Sequence, residues 1–168
     1  TTSGSGYLSG NFAVAQSSLR DQITTAISYR KEANANYIAL LDREKIILAS
    51  LNNLNVCLAT TFFAPDQLKT STQNDIKDQK NIIANIQPNI DDNISEIELL
   101  KSSLVKLNNL TDAQVSAAFN PTSLAEITGD INAADNLRNE TATIVESQKA
   151  SFEERNNKIL EDQKIYCR

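Results

Sequence analysis

The chain has no His, no Met and no Trp, and its 168 residues include only nine aromatic side chains, four Gly, three Pro and two Cys. Without His it lacks the commonest general base and the commonest metal ligand. Two Cys are too few for a zinc site of four Cys or of paired Cys and His. Neither Cys has a His to activate it as a nucleophile, and no Ser stands in a Gly-x-Ser-x-Gly turn. Phosphate-binding and dinucleotide fingerprints are missing too. An enzyme is therefore not expected. Basic charge is also short, with 16 Lys and Arg against 21 Asp and Glu and a net charge of −5. A nucleic-acid partner wants a basic face, so none is expected. No apolar run approaches the roughly 18 residues of a membrane span, and the mixed acidic surface is the wrong sign for an interfacial helix.

Three of the four Gly lie in the first ten residues, and Pro occurs only at 65, 88 and 121. A β-rich domain needs more turn residues. The long stretches free of both read as helices. The loose opening Thr1-Thr2-Ser3-Gly4-Ser5-Gly6 lacks the apolar core of a signal peptide, and residues 1–11 are expected to be a flexible arm. With no Met in the sequence, the chain is expected to be cut from, or to begin inside, a longer precursor.

Residues 12–168 read as a single domain. In the first helix, about 12–60, Tyr37, Leu40, Ile47, Leu51, Leu54 and Leu58 share one face, with Arg30, Lys31, Asp42, Arg43 and Lys45 mostly off it. Pro65 and Asp66 mark the turn, with Asp66 as a candidate cap. The second helix, about 67–108, carries the clearest pattern. Ile76, Ile83, Ile90, Ile97 and Leu104 stand seven apart, with Ile86, Leu100 and Leu107 at the matching d positions and Gln79 and Asn93 at the other two. Pro88 lies on the outer face and should kink the helix without shifting this register.

Thr111-Asp112 should cap a short helix over 113–119. Ser123, with Glu126 three residues on, should open the last helix, about 122–167. There Leu124, Ile131, Val145, Phe152, Ile159 and Tyr166 share a column interrupted by Arg138. The d column of Ile127, Ala134, Thr141, Gln148, Arg155 and Asp162 is mixed, which makes this the least apolar seam. That seam is either completed by another chain or a core that tolerates polar positions.

The expected fold class is all-α: an elongated up-down-up antiparallel bundle of three long helices with coiled-coil-like packing. Its narrow seams leave no room for a wide pocket. In that topology the first and third helices end together, which places Cys57 beside Cys167 and predicts a disulfide. A disulfide in turn implies an oxidising compartment.

Asn109 and Asn139 are candidate glycan acceptors by sequon, whereas the sequon at Asn93 falls on a core position. Asp91, Asp92, Glu96 and Glu98 form an acidic cluster to which weak surface Ca²⁺ binding is assigned at most. Their spacing does not match a Ca²⁺ loop, and Asp75/Asp78 and Glu153/Glu154 likewise read as solvated faces.

These long heptads from Ile76 to Leu104, the segment Tyr37 to Cys57 with its Leu41-Asp42-Arg43-Glu44, the few Cys and the 19 Asn and 17 Ile resemble the ciliate secretory-granule matrix proteins, the trichocyst matrix and granule lattice family. The resemblance implies a structural protein processed from a larger precursor in the secretory pathway. Such a protein self-assembles into the crystalline core of a secretory granule, with calcium linked to its expansion. The modest acidity here departs from that pattern. The expected partners are copies of the chain or related helical bundles. The rival expectation is an extracellular or periplasmic helical binding module, such as an adhesin or a pilus-associated subunit of a bacterial secretion system.

Overall fold

A computed structural model describes residues 2–118 and 121–167, with side chains described for 16–111, 113–115, 117 and 125–167. Among the described residues the chain is all-helical: α1 (Thr2–Thr60), α2 (Asp66–Asn108), a short α3 (Asp112–Ala118) and α4 (Pro121–Tyr166). Three long helices were expected, and three are present. Helix α1 begins at Thr2. Helix α2 continues through Pro88. The proline removes one backbone donor but leaves the rest of the ladder to carry the helix across it.

The helix ends follow local chemistry. After Thr60 the chain turns through Thr61 to Pro65, where Ala64 N donates to Thr61 O at 3.2 Å. Lys69 N donates to Pro65 O at 3.2 Å, so Asp66 is the first residue inside α2 and not the cap outside it. Helix α3 has a reciprocal cap. Gln114 N donates to Thr111 Oγ1 at 3.3 Å and Thr111 N donates to Gln114 Oε1 at 3.0 Å. This is a capping box built from the expected Thr111. The expected cap at Ser123 lies outside the described side chains.

The chain divides into two compact units, residues 1–34 with 92–140 and residues 35–91 with 141–168. Helices α1, α2 and α4 each contribute a segment to both. In the first unit, Leu19, Ile23, Ala26 and Ile27 of α1 pack with Ile97, Leu100 and Leu107 of α2 and Val115 of α3. Ile127 and Ile131 of α4 lie against them. Gln16 Nε2 donates to Leu107 O at 2.9 Å and Asn93 Nδ2 donates to Arg30 O at 2.6 Å, so partner numbers fall along α2 as they rise along α1. In the second unit, Ile47, Leu51, Leu54 and Leu58 of α1 pack with Ala64, Ile76 of α2 and Ile159 of α4. Here α1 and α4 are laced by polar contacts whose partner numbers rise together. Asn36 Nδ2 donates to Thr141 Oγ1 at 3.0 Å, Ser50 Oγ donates to Asn156 Oδ1 at 3.1 Å and Gln163 Nε2 donates to Ser50 O at 3.0 Å.

Burial follows the sequence pattern of α2. Ile76, Gln79, Ile90, Asn93, Ile97, Leu100 and Leu107 are buried, and Ile83, Ile86 and Leu104 are half-buried. Each buried Leu or Ile contributes about 1.5–3 kcal/mol of transfer free energy.

Candidate functional site

The most organised polar constellation lies inside the second unit and centres on Glu44, a residue that the sequence reading did not single out. Its side chain is 7% exposed. Glu44 stands four residues after Leu40 and three before Ile47, on the apolar face of α1, so helical spacing carries it inward. Three side chains from two other segments converge on it. From α4, Arg155 Nη2 donates to Oε1 at 2.9 Å, Arg155 Nη1 donates to Oε2 at 3.2 Å, and Gln148 Nε2 donates to Oε1 at 2.8 Å. From α2, Gln79 Nε2 donates to Oε2 and also reaches Glu44 O at 2.8 Å. Arg155 therefore grips both carboxylate oxygens, the paired geometry in which guanidinium is strongest. Burial pushes the Glu44 carboxyl up, but the hydrogen bonds from Arg155, Gln79 and Gln148 and the Arg155 charge outweigh it, and its pKa is lowered. The carboxylate stays ionised because donors replace the water it has lost.

Three of the polar d positions of α4, Thr141, Gln148 and Arg155, thus have partners within the chain. Thr141 is paired with Asn36, Gln148 also donates to Leu40 O at 3.0 Å, and Arg155 serves Glu44. The signal for this was present in the sequence: one acid on the apolar face of α1, and Gln and Arg at core positions of two other helices.

Cys57 and Cys167 are brought together as a disulfide with a Cα separation of 5.2 Å, closing a sequence separation of 110 residues. Around it, Thr61 Oγ1 lies 2.7 Å from Cys57 O and 3.0 Å from Tyr166 O, and its proton serves one or the other of these helix-terminal carbonyls. The Phe63 ring rests 5.7 Å from that of Tyr166, and Phe62 stands 95% exposed beside it.

In the first unit the Asn93–Arg30 contact is mutual, since Arg30 Nη1 donates to Asn93 Oδ1 at 3.2 Å. Asn93 is buried, so its sequon has no room for a glycan. Arg138, which interrupts the apolar column of α4, pairs with Asp135 and with Glu32 at 3.5 Å, and its guanidinium lies 3.8 Å from the centre of the Tyr29 ring. That contact is a cation–π stack.

Asn109 follows α2 and is exposed, and Asn139 is exposed on α4. Asp91, Asp92, Glu96 and Glu98 are all exposed along α2. They do not converge: Asp91 accepts from Gln87 at 3.1 Å and Glu98 pairs with Lys101 at 3.0 Å. Among the described residues no group of three or more Cys, Asp or Glu is placed to hold a metal ion, and no helix is long and apolar enough to cross a membrane.

The second unit also holds a cavity of about 320 Å³, floored by Leu51, Leu54 and Ile159. The narrow seams expected from the sequence did not foretell it. No protein-family model matches the chain, and no curated protein or solved structure shows detectable similarity to it.

Proposed function

We propose that the chain is a non-enzymatic structural protein of an oxidising compartment that packs with copies of itself or with related helical bundles into an ordered assembly, as in the lattice of a secretory granule. The observation that carries this reading is the Cys57–Cys167 disulfide joining the ends of two long helices. Such a bond persists in the secretory route or outside the cell. In this reading the three long helices form an elongated up-down-up bundle with heptad packing, with α2 kinked near Pro88. The polar layers at Glu44 and Asn93 fix the register of the helices at some expense in stability. The absence of His and of a nucleophile motif in the sequence supports a scaffold over a catalyst. Exposed acidic residues give weak Ca²⁺ attraction, and Asn109 and Asn139 are the sites where glycans would sit.

The test is sedimentation velocity of the oxidised chain over a wide range of protein concentration, with and without Ca²⁺. Association that rises with concentration is expected. A chain that stays monomeric throughout refutes the assembly role. In that case the second reading, an adhesin-like or pilus-associated binding module, gains from the exposed Phe62 and Phe63 beside the disulfide.

A further inference from the structure

The cavity of the second unit opens where α2 and α4 face one another over α1. Its floor is aliphatic, from Leu51 and Leu54 of α1 and Ile159 of α4, with Leu68 and Ile82 on the α2 side. The gap has a local cause. On the α2 side the buried Thr72 and, at the rim, the exposed Ser71 are too short to fill the space, and α4 presents the charged Lys158 and Asp162 where a closed seam would carry large apolar residues. The floor is therefore left partly uncovered by the chain itself.

The charge at the rim has one predominant sign. Asp75 and Asp78 stand on the α2 wall and Asp162 on the α4 wall. Among the described residues none hydrogen-bonds or ion-pairs with these three carboxylates. The cations of the lining are Lys158 and Arg155, and the Arg155 guanidinium is turned inward onto Glu44. An aliphatic floor under three carboxylates and one available ammonium matches a ligand with an apolar body and a positive head. The volume of about 320 Å³ falls at the lower end of small-ligand pockets, which span about 300–1,000 Å³.

We propose that this cavity is a binding site for small amphiphilic cations, an alkyl or aralkyl ammonium whose chain lies on Leu51, Leu54 and Ile159 and whose head is held between Asp75, Asp78 and Asp162. The apolar floor supplies affinity through water displaced from it. The carboxylates, set on two different helices, supply the selection for charge.

The experiment is isothermal titration calorimetry of the oxidised full chain with three probes of equal chain length: octylammonium, octanol and octanoate. Octylammonium is expected to bind saturably at one site, and octanoate about tenfold more weakly or not at all, because it faces like charges. Asp75→Asn and Asp78→Asn should each weaken octylammonium about two- to fivefold, the range for partly exposed ion pairs, and leave octanol unchanged. Ser71→Trp, which fills the gap from its rim, should abolish binding of every probe while circular dichroism stays that of the parent. If Ser71→Trp fails to fold, the Asn variants decide alone. The proposal is overturned if no saturable heat appears with octylammonium, if octanoate or octanol binds as tightly, or if both Asn variants keep the parental affinity. It is equally overturned if the Trp variant turns a self-associating chain into a monomer, since a second copy would then be the occupant. Failure of the assembly reading leaves these titrations untouched, and the converse also holds.

Discussion

Replacing Glu44 by Leu is the sharpest test of the polar layer in the second unit. The substitution keeps the side chain's approximate volume and apolar compatibility but strips four charge-assisted contacts from Arg155, Gln79 and Gln148. Breaking a buried ion pair by removing one partner costs about 3–5 kcal/mol, because the other charge is left without compensation. Arg155 is 35% exposed, so its guanidinium can turn partly to water and recover some of that loss. A net cost of about 2–3 kcal/mol follows. For a chain of this size it corresponds to a fall in Tm of about 4–12 °C.

Urea unfolding of the oxidised protein, followed by circular dichroism at neutral pH, reads the effect as a shift in midpoint at constant slope. The companion variant removes the whole layer, with Leu at positions 44, 79, 148 and 155. It should recover most of the loss or exceed the parent, since an apolar layer needs no desolvated charge. A Glu44→Leu chain within about 0.5 kcal/mol of the parent would refute the reasoning, because it would mean that water already serves Arg155 and Gln79 in the folded state. The pH dependence supplies a second arm. The folded pKa of Glu44 lies below its ordinary value, so the carboxylate stabilises the fold above the unfolded pKa, and that contribution is lost as pH falls through the unfolded value toward the folded one. Glu44→Gln should flatten that part of the acid limb.

Three further outcomes are expected. Reducing the Cys57–Cys167 bond, or replacing both Cys by Ser, should cost about 4–5 kcal/mol by loop entropy for a closure of 110 residues, measured as the Tm difference between oxidised and reduced chains; equal Tm values would contradict it. Pro88→Ala restores a backbone donor inside α2 at an exposed position and should raise stability by about 1–3 kcal/mol in urea unfolding; a loss would show that the fold depends on the proline's local geometry. Gly129→Ala in α4 meets nothing within 4 Å of the added carbon and should stabilise by about 0.5–1 kcal/mol, as thermal unfolding would show.

Helical content and the identity of many buried residues were legible before any coordinates. The scarcity of Gly and Pro left few places to turn, and the spacing of apolar residues in α2 marked Ile76, Ile90, Ile97, Leu100 and Leu107 as inward-facing, as they are. Those properties are local: they follow from 3.6 residues per turn and from which side chains avoid water. The juxtaposition of Cys57 with Cys167 was legible one step further, through short connections and helix direction.

The sequence did not reveal which polar residues meet. Glu44 reads as one acid among 21, and only the approach of Gln79, Gln148 and Arg155 from two other segments makes it a buried, ionised centre. The uncovered floor at Leu51, Leu54 and Ile159 was equally out of reach. It depends on how far apart helices stand, which no single helix's periodicity encodes. Pairing over separations of 35 to 111 residues is decided by the summed packing of facing surfaces, and that sum exists only once the segments have met.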